Sequence, residues 1–97
     1  MISLNNPIVF NWDEGNINKN LNKHNVNVQE AEQVFYNEPL FIYDDILHST
    51  HEERFKALGT TSEGRKLVVV FTLRNSKLRV ISTRDMSKKE RGQYEKS

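Results

Sequence analysis

The chain has no cysteine, only four glycines and only two prolines among its 97 residues. Without cysteine, neither disulfides nor thiolate metal sites can hold it together, and redox chemistry gives no clue to its compartment. The glycines, Gly15, Gly59, Gly64 and Gly92, are too dispersed for a phosphate-cradling loop. No serine sits in a nucleophile elbow. Long apolar runs are missing too: the longest, Leu67 to Phe71, falls far short of the ~20 residues of a membrane span. The start, MISLNNPIVF, has neither the basic residues nor the apolar centre of a signal peptide. The expectation is a cytoplasmic protein that makes no membrane contact.

Histidine is scarce as well. His48 and His51 lie three apart near Asp44, Asp45, Glu52 and Glu53, but this matches no recognised zinc spacing. Neither a metal nor any other cofactor is expected. Ninety-seven residues suffice for one domain, 1–97, and leave no room for a second core.

The charge that is present is unevenly spread. The overall balance is +1, yet residues 1–50 carry two basic and seven acidic side chains, and residues 51–97 carry twelve basic and six acidic. Halves of −5 and +6 suggest one face for a polyanion or an acidic partner.

The stretch RKLVVVFTLRNSKLRVISTR, from Arg65 to Arg84, organises the rest. Leu67 to Leu73 is apolar except for Thr72 and rich in β-branched valine, so it reads as a central strand covered on both faces. Asn75-Ser76 is a turn signal, and Leu78, Val80 and Ile81 resume a second strand. Regular alternation puts Leu78, Val80, Ser82 and Arg84 on one face and Arg79, Ile81 and Thr83 on the other, offering arginine from both.

Upstream, Ile8 to Trp12 reads as a first strand and Asp13 as the cap of a helix from about Glu14 to His24. Asn27 and Glu30 have capping-box spacing for a second helix reaching about Tyr36, stopped by Asn37 and Pro39. Leu40 to Tyr43 and Phe55 to Leu58 are further strands. Ser87 and Glu90 form another capping box, opening a basic helix over about Lys88 to Glu95. The fold class is α+β: two N-terminal helices packed on a mostly antiparallel sheet, with a short C-terminal helix.

These residue types suit RNA cleavage without metal, in which a ribose 2′-OH attacks the neighbouring phosphate. Such a site needs a base, a proton donor and cations for the charge on the phosphoryl oxygens. The three histidines, Glu52, Glu53 and Glu90 are candidates for proton transfer, and Arg65, Arg79, Arg84 and Arg91 for the cations. Tyr94 offers a phenol to donate a proton or a ring to stack on a base. Each has a plainer reading: strand-end arginines with their heads in water, a packed His24, a Glu53–Arg54 surface pair, and a Tyr94 ring holding the last helix to the sheet.

The letters as a whole resemble the BrnT toxins, the toxin halves of type II toxin–antitoxin pairs. The resemblance is carried by FNWD at 10–13, NLNKHNV at 20–26, EAEQVFYNEP at 30–39, EERF at 52–55, EGRKLVVVFTLR at 63–74, LRVISTRDMSKKER at 78–91 and YE at 94–95. It implies a RelE-like fold and an endoribonuclease that inhibits translation. Its partners would be an RNA substrate and a neutralising BrnA-type antitoxin, with DNA reached only through that antitoxin. The matching positions are His24, Glu53, Arg65, Arg79, Arg84 and Tyr94 as catalytic candidates, with Arg54, Lys88, Lys89 and Arg91 for RNA binding. This chain departs from the family's pattern at Asn16, where Lys is frequent, and at Phe71, where His is frequent. It also has Asp85 after the ISxR arginine, a carboxylate expected to pair with Arg84. If these departures disable catalysis, the alternative is an inactive toxin fold whose basic face only binds an antitoxin.

Overall fold

A computed structural model describes residues 4, 7–15, 17, 23–48 and 51–97. The frame is a four-stranded antiparallel sheet in the order β1-β2-β3-β4. Its strands are β1 Phe41–Asp44, β2 Phe55–Thr60, β3 Lys66–Arg74 and β4 Lys77–Asp85, with helix α1, Val28–Val34, ahead of them and helix α2, Lys88–Lys96, behind. This is the expected α+β class. The valine-rich run is central, between β2 and β4. Asn75 and Ser76, with φ of 51° and 65°, form the two-residue turn that joins β3 to β4.

Both capping boxes form. The Asn27 side chain accepts from the Glu30 N–H at 2.8 Å while the Glu30 carboxylate accepts from the Asn27 N–H at 3.1 Å. Ser87 and Glu90 exchange the corresponding pair at 3.2 and 2.8 Å. Each box satisfies two N–H groups that a helix start otherwise leaves without a partner.

One face of the sheet packs on α1. Ala31, Val34 and Phe35 join Phe55, Ala57, Leu67, Val69, Phe71, Leu78 and Val80 in the larger core. Phe71 meets Phe35 edge-on at 5.2 Å. The opposite face is covered at one end by α2, where Leu58, Val68, Met86 and Tyr94 form a smaller core bordered by Phe41.

Two expectations are corrected and one is met in part. Among the described residues α1 is the complete helix ahead of the sheet. The helix expected over Glu14 to His24 falls on a stretch in which 16 and 18–22 lie outside the described residues; within it Glu14, Gly15, Ile17 and Lys23 are helical, and the Ile17 N–H donates to the Asp13 carbonyl four residues back at 3.1 Å. The expected first strand, Ile8 to Trp12, is an extended segment that meets β4 in a single parallel bridge, Phe10 to Leu78. It leaves the strand direction because the Trp12 indole donates to Glu32 on α1 at 2.8 Å and Asp13 pairs with Arg79.

The second correction matters most for function. Val70 is opposite Ser82 but Phe71 is opposite Val80, so Ile81 is an extra residue in β4 and forms a bulge. Alternation slips by one there. Leu78, Val80, Thr83 and Asp85 therefore share the α1 face, and Arg79, Ser82 and Arg84 share the α2 face. Lys56, Lys66, Arg74 and Lys77 lie on that same face by register.

The approach of α1 to the sheet depends on Gly59. A Cβ built there would lie 2.7 Å from Val34 Cγ1 and 3.1 Å from the Val34 carbonyl oxygen. Gly59→Ala should therefore cost ~1–3 kcal/mol by overpacking, read as a lower urea midpoint. An unchanged midpoint would show that α1 is not pressed against β2.

Candidate functional site

The turn that delivers Arg65 is closed on itself. Thr61 N–H donates to the Arg65 carbonyl at 2.8 Å, Arg65 N–H donates to Thr61 Oγ1 at 3.0 Å, and Gly64 supplies φ of 91°. A residue with a side chain is strained at that angle, so glycine suits the position. From this turn the Arg65 guanidinium uses all five of its N–H groups. Nε and Nη2 donate to Asp85 at 2.7 and 3.0 Å. Nη1 donates to the Asn25 carbonyl at 2.8 Å and to Glu30 at 3.2 Å, and Nη2 donates to the His24 carbonyl at 3.1 Å. The rigid fork of arginine fits two carboxylates and two carbonyls at once, which a lysine could not do.

On the other side of the same strand end, Arg84 pairs with Glu90 through two bonds of 2.7 and 2.9 Å and donates to the Asp85 carbonyl at 3.1 Å. Asp85 thus touches both arginines, one by its side chain and one by its backbone. The expected Asp85–Arg84 side-chain pair does not form, because alternation sends the two side chains to opposite faces and Arg65 takes the carboxylate.

These contacts set the charges. Arg65, with help from the nearby His24 and Arg91, holds the Asp85 carboxyl below the usual carboxylate range. Arg84 foremost, and the Ser87 N–H after it, hold Glu90 down to about 2. Both carboxylates are ionised near neutrality, so neither serves there as a proton donor. Arg65 and Arg84 are raised further by the same partners.

The structure therefore gathers His24, Arg65, Arg84 and Arg91 around Asp85 at the end of β4. Arg79 shares the Arg84 face but lies toward the hairpin turn, paired with Asp13, in the neighbourhood of Arg74, which binds Glu52 at 3.0 and 3.1 Å. Glu53 and Arg54 belong to this distal end, where the Glu53 carbonyl accepts from Thr72 Oγ1 at 2.7 Å. Lys88, Lys89 and Arg91 are exposed on α2. Tyr94 is buried: its ring packs edge-on to Phe41 and its hydroxyl donates to the Pro39 carbonyl. Burial also pushes its phenol up, so its surroundings are those of a packing residue.

Phe71 is in the core under α1, away from the arginines of the other face, and Asn16 lies outside the described residues. Among the described residues no group of three or more histidine, aspartate or glutamate side chains is placed to hold a metal. No helix among them is long and apolar enough to cross a membrane.

The residues that sequence reasoning missed are the acidic partners. Glu30 was legible as a capping residue and Glu90 as a capping residue and a proton-transfer candidate, but nothing in the letters indicated that each binds an arginine, 35 residues away for Glu30 and six for Glu90.

A family model described as "Ribonuclease toxin, BrnT, of type II toxin-antitoxin system" matches residues 12–90. No curated protein matches the chain.

Glu90 generates a stability test. Its depressed pKa contributes stability that is present above its ordinary value of 4.5 and lost as pH falls toward about 2. Glu90→Gln keeps a capping side chain and removes the charge. The wild type should exceed this variant by on the order of 1–2 kcal/mol at pH 7, allowing for solvent screening, and urea unfolding should show the gap closing as pH drops through that window. An equal gap at both ends would contradict the ion-pair assignment.

Proposed function

The chain belongs to the BrnT family, ribonuclease toxins of type II toxin–antitoxin systems, and from that premise we propose a metal-independent endoribonuclease that cuts mRNA and so inhibits translation. In this reading it acts in the cytoplasm, a BrnA-type antitoxin neutralises it, and DNA is reached only through that partner. The observation that carries the reading is the meeting of four separate segments at Asp85: His24, Arg65, Arg84 and the Glu90-Arg91 pair of α2.

The chemistry divides among them. The Arg84 side chain is 39% exposed and its bonds to Glu90 and Asp85 run through Nη1 and Nη2, which leaves the Nε edge for a phosphate oxygen, and Arg91 stands nearby in solvent. Charge gathering on the phosphoryl oxygens as the 2′-OH attacks is met by these cations. His24 is the imidazole of this group, and it takes the proton-transfer role. Arg65 is saturated by its own chain and holds the others in place. Arg79, on the Arg84 face and nearer the hairpin turn, meets a flanking phosphate, and Lys88 and Lys89 attract the backbone at longer range.

A second reading has a specific observation behind it. Arg65, Arg79 and Arg84 each already bear a carboxylate of the chain itself, which takes N–H groups that a scissile phosphate needs and favours an inactive toxin fold whose basic face only binds an antitoxin.

Labelled RNA incubated with purified protein in EDTA separates the two. Cleavage should occur, fall about 10²-fold or more in Arg84→Ala, and fall comparably in His24→Gln, with circular dichroism unchanged. RNA left intact at large protein excess, or cut equally by Arg84→Ala, would exclude the catalytic reading.

A further inference from the structure

On the α2 face, next to the Arg84–Glu90 pair, lies a groove of about 250 Å³ between α2 and strands β1 and β2. Phe41, Leu58 and Tyr94 give it an apolar lining. Tyr43, Lys56 and Gln93 supply an aromatic ring, a cation and an amide, and Glu90 closes the end that adjoins Arg84. Tyr43 is 53% exposed, so its ring is open to a ligand in the groove.

We propose that this groove is a subsite for one unpaired nucleobase of the RNA, whose phosphate lies on Arg84. The inference rests on the ribonuclease reading and adds where a base is held. A planar heterocycle needs what the groove has. The flat Tyr43 ring stacks on a base face, an interaction open to any base. Gln93, with both donor and acceptor atoms, reaches for base-edge groups and provides selectivity. Lys56, opposite Tyr43 in the β1–β2 register, places a positive charge beside the ring, where the sugar–phosphate backbone passes. Because Glu90 borders both the groove and Arg84, a nucleotide spanning the two is anchored at phosphate and base together.

Titrations of isotope-labelled protein with inorganic phosphate and with each of the four nucleoside 3′-monophosphates, followed by NMR, test the subsite without requiring turnover. Phosphate should shift signals around Arg84 and α2 only. The nucleotides should in addition shift Tyr43, Lys56 and Gln93, to an extent that depends on the base. With a non-cleavable 2′-O-methyl oligonucleotide, Tyr43→Ala should weaken binding roughly tenfold or more and leave the phosphate response in place. If all four nucleotides act like phosphate, or if Tyr43→Ala binds the oligonucleotide like the wild type, the nucleobase subsite is refuted. RNA cleavage that continues alongside either result would leave the ribonuclease reading standing. Nucleotide shifts in a protein that cuts no RNA would support the subsite and count against catalysis.

Discussion

The clamp between Arg65 and Asp85 fixes where the functional side chains stand. A guanidinium offers five donors in one plane, and here every one is used, on the carboxylates of Asp85 and Glu30 and on the carbonyls of His24 and Asn25. The acceptors come from three distant stretches: the turn before α1, the first turn of α1, and the end of β4. Without the cation, two carboxylates and two carbonyl oxygens would face one another at a half-buried corner, an arrangement with a substantial electrostatic cost. The clamp also sets the end of β4, and α2 starts immediately beyond it at Ser87. The direction of α2, and with it Glu90 and Arg91, follows.

The bulge at Ile81 divides the labour between the two sheet faces. With Leu78 and Val80 in the core under α1, a regular strand would have sent Ser82 and Arg84 to that same face. The extra residue turns Arg84 to the α2 face beside Arg79 and Asp85 to the α1 face, within reach of Arg65. One local irregularity thus lets the same strand both close the scaffold and present cations to solvent. Carboxylates on these cations hold them in defined geometry in the free protein, and a polyanion must compete with those partners for the same N–H groups.

Much of the frame was legible in the letters. The valine run, the Asn75-Ser76 turn and the two capping boxes each carry local chemistry that depends on a few neighbouring residues, and each formed as read. The bulge was not legible, because VIST contains no glycine or other residue that marks a register slip. The helix ahead of α1 was read from Ile17, Leu21 and His24 at helical spacing, with Gly15 and several asparagines weakening it, and Leu21 lies outside the described residues.

At the site, His24, Arg65, Arg84 and Arg91 were all singled out from their residue types and from the resemblance, and the fold brings them together. Their division of roles was hidden. Whether an arginine is a clamp or a ligand depends on which carboxylates the tertiary fold supplies, and Glu30 is 35 residues from Arg65. Tyr94 illustrates the same limit: the helix pattern places it near the sheet, but only the neighbouring Phe41 and Pro39 decide that it packs.

A double-mutant cycle on the clamp tests the account most directly, with urea unfolding of the wild type, Arg65→Gln, Asp85→Asn and the double variant. The account requires a coupling energy of about 1–3 kcal/mol between the two positions. Additive effects, with a coupling near zero, would mean that the corner is held by something else.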